Sequence, residues 1–311
     1  MSEQEPVRGI SVTGLARSFG AVPAVRDVSF EAAPGKITAL VGPNGSGKTT
    51  LLLMLATLLV PDRGTIRIDG RDPVTQSREV RAVMGWMPDV LGSWQALTVR
   101  STLELTGRLY ALSKPAAAAR AAELIHTVDL VELAERPTRV LSRGQKQRLS
   151  LARSLVHNPS VLLLDEPAAG LDPGARIALR DLLRRLAGEG RTILLASHVL
   201  AELEEVADDA VFLEAGATVD GARIAAARSQ ARGWRIRTLD PAALATALAR
   251  EKVSALPSSD PAETVVTLAD EAAAAKLLAR LIKGGVPVSA FAPSVGDLEQ
   301  TFLDLGSEGS R

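Results

Sequence analysis

The chain has 311 residues, a length that fits two domains. Lys plus Arg number 36, and so do Asp plus Glu, which gives a net charge of zero. This charge argues against a protein that binds nucleic acid through its overall positive charge, although a local basic patch is still compatible with it. Because there is no cysteine, disulfides, thiolate metal sites and a catalytic thiol are also excluded.

Membrane-crossing segments are not expected from the sequence. Residues 1–10 lack the apolar run of a secretion signal. The most apolar stretch, Leu51–Val60, has about half the length that a bilayer-spanning helix needs. We therefore expect a soluble protein that acts at a membrane only through a partner.

Strand-like and helix-like patterns alternate in the first part of the chain, as in an α/β domain. Lys36–Val41 is a buried-strand run that leads into a Gly-rich turn, and an apolar helix is predicted at Lys48–Leu59. The later predicted elements are a strand at Thr65–Asp69, a mostly helical region at about 89–158 with a surface helix at Pro115–Ile125, a buried strand at Val161–Asp165, a helix at Arg176–Leu186 and a buried strand at Thr192–Ser197.

The pattern changes after about Gln230, where shorter elements begin. The predicted elements are strands at Trp234–Leu239, Val253–Leu256, Thr264–Leu268 and Val286–Phe291, helices at Pro241–Arg250 and Glu271–Lys283, and a closing helix at Val295–Leu305. Without the closing helix, their order is that of the ferredoxin-like arrangement. We therefore predict two domains, residues 1–230 and residues 231–311, the second a small α+β domain.

A phosphate-binding loop is predicted directly after the first buried strand. Its residues are Gly42, Pro43, Asn44, Gly45, Ser46, Gly47, Lys48, Thr49 and Thr50, which fit the pattern G-x-x-x-x-G-K-[ST]. Glycines allow the tight bends that turn several N–H groups toward a polyphosphate, and the following helix adds its positive end. Lys48 would neutralise the β- and γ-phosphates, and the Thr49 hydroxyl would bind Mg²⁺. The alternative is an ordinary Gly-rich turn, which the position between strand and apolar helix disfavours.

Two carboxylates end the buried strand Val161–Asp165. Ligands of doubly wound sheets bind at the carboxyl ends of the strands. Asp165 would then hold Mg²⁺, directly or through water, and Glu166 would accept a proton from an attacking water. The alternative is that the strand simply ends in two solvated acidic residues. The phosphate loop upstream favours the functional interpretation over this alternative.

The sequence Leu-Ser-Arg-Gly-Gln at Leu141–Gln145 resembles the LSGGQ signature of ABC ATPases, and it lies shortly before the Asp-Glu strand, as in that family. Gly170-Leu171-Asp172 resembles the family's D-loop, His198 its switch histidine and Phe19 the aromatic residue that stacks on adenine. The resemblance covers about residues 7–225. It implies a P-loop NTPase fold with a mixed sheet and a helical subdomain. The segment Pro293–Phe302 resembles the ending of ATPases that serve ABC-2-type exporters, which implies export of drug, antibiotic or lipid-like cargo.

The resemblance also implies a homodimer that encloses two ATP molecules. Ser142, Arg143, Gly144 and Gln145 would contact the γ-phosphate of ATP bound to the opposite subunit, and Asp172 would connect the two active sites. His198 would help to orient the attacking water. The alternative for Ser142 is a helix N-cap, and both interpretations can hold at once. His126 and His157 lack such a context and are predicted to be structural or solvated.

Two positions depart from the family pattern. Arg143 replaces a residue that is usually Gly, and its side chain is expected to add a contact without removing the phosphate-facing amides. Asp89 stands where the family usually has the Gln of the Q-loop, and Gln95 lies too far along to replace it. Our hypothesis is that Asp89 binds the metal through water and couples ATP to the membrane partner.

The expected partners are a second copy of the subunit and an integral membrane permease, with the chain on the inner face of the cell membrane and no nucleic acid bound. Trp94, Leu97 and Leu109 would either line a groove for a permease helix or pack within the helical subdomain. Two other functions stay open, an ABC protein that acts on nucleic acid or ribosomes and a module that binds ATP without hydrolysing it. The second domain could mediate dimer contacts, regulate turnover or bind a small ligand.

Overall fold

The computed structural model describes residues 8–90, 92, 94–256, 260 and 263–308. The chain forms two compact units, Met1–Val219 and Asp220–Arg311. The division falls before the domain limit that we predicted at residue 230. The helix Gly221–Arg228 belongs to the second unit because it packs against the helix Asp297–Glu308.

The first unit alternates strands and helices. Its strands are β1 (Ile10–Phe19), β2 (Val22–Ala32), β3 (Ile37–Val41), β4 (Arg63–Ile68), β5 (Met84–Met87), β6 (Val161–Asp165), β7 (Thr192–Ala196), β8 (Asp209–Glu214) and β9 (Ala217–Thr218). Its helices are α1 (Lys48–Leu55), α2 (Ser77–Val83), α3 (Val99–Leu109), α4 (Lys114–Thr127), α5 (Arg143–Leu155), α6 (Pro173–Gly188) and α7 (Leu200–Val206).

These strands form a nine-stranded mixed sheet in the order β4-β1-β2-β9-β8-β3-β7-β6-β5. The strands from β8 to β5 run parallel, whereas β1 pairs antiparallel with β2 and β4. Every residue of β3, β6 and β7 is buried, which continuous apolar sequences allow when both faces of a sheet are covered. The predicted mixed α/β core is confirmed.

The first helix is shorter than predicted because the backbone after it turns left-handed. The first helix ends at Leu55 rather than Leu59, because Thr57 has a φ of 63° and cannot continue it. The predicted surface helix is α4, and it also buries one face, including Ala121 and Leu124. The region at 89–158 contains α3, α4 and α5 as its main elements, as its mostly helical pattern predicted.

A close approach between α5 and the sheet requires a glycine. A Cβ on Gly85, in β5, would lie 2.7 Å from the Leu162 side chain and still closer to the Ser154 carbonyl oxygen. Without that Cβ, α5 packs directly against β5. The last turn of α5, which contains Ser154, therefore lies directly on β5.

The second unit contains α8 (Gly221–Arg228), β10 (Arg232–Thr238), α9 (Pro241–Arg250), β11 (Ala255–Leu256), β12 (Glu263–Leu268), α10 (Glu271–Lys283), β13 (Val288–Pro293) and α11 (Asp297–Glu308). Its antiparallel sheet has the order β11-β12-β10-β13. From β10 to β13, this order and the succession of elements match the predicted ferredoxin-like arrangement.

The core of the second unit is apolar and separate from that of the first. Ile236 and Val266 from the sheet and Leu281 from α10 are fully buried in it. Asp240 and Asp270 cap α9 and α10 by accepting hydrogen bonds from backbone N–H groups three residues on. Among the described helices of the whole chain, none has both the length and the apolar character that crossing a bilayer requires.

Candidate functional site

A cleft of about 630 Å³ opens at the carboxyl ends of β3, β6 and β7. This edge is where ligands bind in doubly wound sheets. The predicted site residues that line the cleft are Asn44, Gly45, Gly47, Lys48, Thr49, Thr50, Asp89, Arg143, Asp165, Glu166 and His198. Residues far apart in the sequence thus share one cavity.

The loop between β3 and α1 has a backbone that only glycine adopts without strain at two positions. Gly45 and Gly47 have φ angles of 81° and 97°. A Cβ on Gly47 would also lie 2.5 Å from the Ala24 carbonyl oxygen. No side chain caps the start of α1. The N–H groups of its first turn are therefore available to an anion.

The Lys48 ammonium lies across this loop. It donates hydrogen bonds to the carbonyl oxygens of Gly42 and Pro43, at 2.6 and 3.0 Å. Burial lowers the pKa of Lys48, and the carboxylates of Glu166 and Asp165 oppose that shift. The amine is thus partly desolvated and pre-positioned, which favours binding of a phosphate.

Asp165 is 8% exposed at the end of β6. Burial and the neighbouring charges of Glu166 and Asp89 raise the pKa of Asp165 to about 6, while Lys48 acts in the opposite direction. A buried carboxyl group with two acidic neighbours favours a cation. In the described part of the chain, no three acidic, His or Cys side chains form a metal cluster. Mg²⁺ does not need one, since one or two carboxylates, water and substrate phosphates complete its octahedron. The donor set fits Mg²⁺.

Glu166 is fixed through both its backbone and its carboxylate. Its φ of 52° lies in the left-handed region, which is uncommon for residues other than glycine. The carboxylate accepts hydrogen bonds from the His198 N–H at 2.8 Å and from the Ser197 hydroxyl at 3.2 Å, and His198 Nδ1 lies 2.9 Å from it. The Gln147 side chain donates to the Glu166 carbonyl oxygen at 2.5 Å. Glu166 and His198, which were each predicted to act on the attacking water, are therefore in direct contact.

Four of the predicted residues lie outside the cleft lining and shape helix ends or turns. Ser142 and Gln145 form a reciprocal capping box at the start of α5, and Asp172 caps α6. Gly144 lies against the Gly170 carbonyl oxygen, which a Cβ would approach to 2.9 Å. The predicted N-cap role of Ser142 is present, and the start of the helix is exposed at Ser142 and Arg143.

Four more predicted positions, three in the phosphate loop and one aromatic, also lie outside the cleft lining. Gly42 and Pro43 offer the carbonyl oxygens that hold Lys48, and Ser46 is buried beneath the loop. Phe19 lies at the turn between β1 and β2, is 50% exposed and has the Arg17 guanidinium 5.2 Å from its ring centroid. It pairs with Val22, which does line the cleft.

Several functional positions were not predicted from the sequence. Val22, Pro23 and Ala24 line the cleft from β2, and no sequence pattern singles them out. Ser197 could have been found because it directly precedes His198. Gln147 could have been found as a polar residue on the buried face of α5. Of the two other histidines, His126 is exposed, and His157 is half-buried, with its ring stacked on that of Tyr110 at 3.8 Å.

A second depression, of about 460 Å³, lies among β5, α3, α5 and the segment that follows α1. Trp94 and Leu109 line it and are 40% and 68% exposed, whereas Leu97 is half-buried and does not line it. The Arg153 guanidinium lies 5.2 Å from the Trp94 ring centroid and fixes one wall. We name this depression the apolar groove. It supports the groove interpretation for Trp94 and Leu109 but not for Leu97.

Comparisons with known proteins agree on one family. The model of the ABC transporter family matches residues 25–169. An uncharacterized ABC transporter ATP-binding protein of Bacillus subtilis, YxlF, is 33% identical over 95% of this chain and 99% of its own length. The Nod factor export ATP-binding protein I of Paraburkholderia xenovorans is 38% identical over 68% of this chain and 69% of its own length. The daunorubicin resistance ATP-binding protein DrrA3 of Streptomyces coeruleorubidus is 39% identical over 68% of this chain and 66% of its own length, just under two thirds.

Solved structures give the same result for the fold. The ATP-binding subunit of an ABC transporter superposes with a TM-score of 0.64 and 28% identity, over 70% of this chain and 91% of that one. An ATP-binding cassette solved as a dimer with ADP and Pi superposes with a TM-score of 0.63 at 24% identity, over 68% of this chain and 97% of that one. The predicted fold class is confirmed. On its sequence and its fold, the chain belongs to the ATP-binding proteins of the ABC transporter family.

Proposed function

We propose that this chain binds and hydrolyses ATP as the motor subunit of an ABC exporter and drives transport through a separate transmembrane permease. The observation that carries the proposal is that Lys48, in its glycine loop, and Glu166, held by His198, open into one cleft. The relatives named for Nod factor export and for daunorubicin resistance support export as the direction. Cargo selection belongs to the permease.

ATP binding follows from the loop. The triphosphate would accept hydrogen bonds from the N–H groups of Gly45, Gly47 and the first turn of α1, and Lys48 would leave its carbonyl partners for the β- and γ-phosphates. The exposed Phe19 ring would stack on the adenine. Mg²⁺, held by Thr49, Asp165 and, through water, Asp89, would neutralise charge on the phosphates when bound.

Hydrolysis follows from the end of β6. Glu166 would accept a proton from the attacking water, since its carboxylate lies in the cleft and is held in one orientation by Ser197 and His198. His198 would in turn contact the γ-phosphate. The strained backbone of Glu166 is consistent with a catalytic role, because such strain occurs at functional sites.

Two copies of the chain would enclose two ATP molecules. The exposed start of α5 would offer N–H groups to the γ-phosphate bound by the other copy, that of Gly144 directly and those of Ser142 and Gln145 once they leave their capping box. Asp172 would link the two sites from the start of α6. The dimeric cassette among the structural relatives supports this assembly.

The apolar groove would receive a helix of the permease at the inner face of the cell membrane. Trp94 and Leu109 expose apolar surface there, and Asp89 is close to the groove in sequence and lines the ATP cleft. An apolar helix face that fills such a groove removes its apolar surface from water, which favours binding. Asp89 would then transmit the state of the nucleotide to the permease.

The test of the ATPase function compares Glu166→Gln with Lys48→Ala. We expect Glu166→Gln to lose at least about a hundredfold in ATPase rate because it removes the general base. It should still bind ATP and double its mass with ATP in light scattering. Lys48→Ala should lose ATP affinity instead. Glu123→Gln, at a surface ion pair on α4, is the control that retains activity. An intact rate in Glu166→Gln contradicts the proposal.

The role of Asp89 has its own test in membranes that contain the permease. We expect Asp89→Ala to lose most of the stimulation of ATPase rate by the permease, and Asp89→Gln, with the residue that the family usually has, to recover much of it. The measurement is the ratio of ATPase rates with and without the permease. A normal ratio in Asp89→Ala excludes Asp89 as the coupling residue.

A further inference from the structure

One side of α5 holds the segment that follows β6. Arg143 and Gln147 lie one helical turn apart and share this side of the helix. Gln147 donates to the backbone carbonyl of Glu166, and Arg143 reaches the turn at Gly170. Within a single chain, the two side chains therefore contact the two ends of the Glu166–Gly170 segment, Gln147 at Glu166 and Arg143 at Gly170.

The stem of Arg143 packs on Gly170. A Cβ added to Gly170 would lie 3.0 Å from Arg143 Cδ and 3.1 Å from its Cγ, and Gly170 has a φ of 75°. The side chain thus lies flat on this turn rather than extending into solvent from the helix tip. Beyond the turn, Arg143 lines the same cleft as Lys48, Glu166 and His198.

Among the ion pairs of the described residues, none includes the Arg143 guanidinium. The cleft contains three carboxylates, of Asp89, Asp165 and Glu166. Of the described residues that line it, Lys48 and Arg143 are the lysine and the arginine that could oppose this negative charge. A triphosphate that enters such an acidic cleft needs a further fixed cation, and guanidinium is always charged and binds phosphate through two hydrogen bonds.

We propose that the Arg143 side chain contacts the terminal phosphate of ATP bound in the cleft of its own chain. This inference rests on the proposed ATPase function and assigns one residue to that reaction. The N–H groups at the start of α5 face the other copy, whereas the side chain of the same turn acts within its own subunit. The Arg that replaces the usual Gly then strengthens recognition of triphosphate over diphosphate.

The first test measures nucleotide affinity in the monomer. The full chain is titrated with ADP and with the β,γ-imido analogue of ATP, at concentrations where light scattering gives the mass of a single copy. Arg143→Met keeps a stem that packs on Gly170 and removes the guanidinium. We expect it to weaken binding of the ATP analogue about tenfold and to leave ADP binding within twofold. Arg143→Lys should recover part of the loss.

The second test uses mixed dimers in which one copy carries Lys48→Ala and only the other copy has an intact cleft. Arg143→Met is placed on the copy with the intact cleft or on its twin. We expect the ATPase rate to fall about tenfold or more in the first arrangement and to stay unchanged in the second. The opposite result assigns Arg143 to the nucleotide of the twin and overturns the inference.

The two proposals fail in different ways. If the wild-type chain neither binds nor hydrolyses ATP, the proposed function is wrong. If the wild-type chain does both, and Arg143→Met binds the ATP analogue as the wild-type monomer does, only the inference about Arg143 is overturned. Equal weakening of ADP and of the analogue also overturns it, because the effect is then not on the terminal phosphate.

Discussion

Glu166 has an unusual backbone, and its neighbours explain why the fold retains it. A left-handed residue other than glycine costs about 1–3 kcal/mol. Hydrogen bonds to its carbonyl oxygen from Gln147 and to its carboxylate from His198 and Ser197 offset that cost. The strain places the carboxylate in the cleft beside His198, where the proposed chemistry needs it.

Asp165 gives a pH-dependent prediction for the metal-free chain. Its pKa is raised to about 6 in the folded state, so the folded chain binds more protons than the unfolded chain between pH 4 and 6 in round figures. The free energy of unfolding should therefore fall as the pH rises through this window. We expect Asp165→Asn to stabilise the chain, by about 1 kcal/mol more at pH 7.5 than at pH 5.

The measurement is urea unfolding of the wild-type chain and the variant in EDTA at both pH values. A stabilisation of the same size at both would assign the effect to packing rather than to ionisation. A loss of stability at pH 7.5 would contradict the raised pKa itself, because it would mean that the folded state favours the charged carboxyl group.

The sequence predicts those site residues that combine a specific motif with a strand end. Lys48, Asp165, Glu166 and His198 all follow buried apolar runs, and the structure places them in one cleft. The side chain of Arg143 escapes such reasoning, because its contact with Gly170 depends on how α5 packs on the sheet. The roles of the site residues stay predictions.

Among the elements, the first and last residues were predicted most accurately for buried strands and for helices with an Asp cap. β6, α9 and α10 have the limits that the sequence predicted, because apolar runs or Asp caps mark their ends. β1 and β2 were not predicted, since register shifts interrupt their pairing and blur the alternation of apolar residues. Of the strand predicted at Val253–Leu256, only the last two residues are paired.

The contact between α5 and β5 gives a prediction at the scale of elements. Gly85→Ala would push a methyl group into the Ser154 carbonyl and the Leu162 side chain, so we expect the free energy of unfolding to fall by about 2 kcal/mol. Gly188→Ala is the matched control, since it lies near the end of α6 with no atom close enough to meet the new methyl group. The control should be neutral or gain up to about 1 kcal/mol. Urea denaturation of both variants compares them, and equal stabilities would contradict the close packing.

The two compact units of the whole molecule each have their own apolar core. We therefore expect residues 220–311 to fold alone, with a free energy of unfolding of about 5 kcal/mol. Leu281→Ala, at a fully buried position, should lower it by about 3 kcal/mol, whereas Leu239→Ala, at a position 81% exposed, should change it little. Circular dichroism during chemical denaturation is the measurement. A broad, non-cooperative transition of the isolated segment would show that its core needs the first unit.

The order of strands in the large sheet has a consequence for motion. β7, which leads to His198, pairs with both β3, which leads to the phosphate loop, and β6, which leads to Glu166. The phosphate loop, Glu166 and His198 therefore follow three strands that are hydrogen-bonded side by side in one sheet, which fixes their relative positions. If the chain hydrolyses ATP as proposed, the response to the loss of a phosphate would therefore fall to the segments at the edge of the cleft, the turn that carries Phe19 and the segment of Asp89.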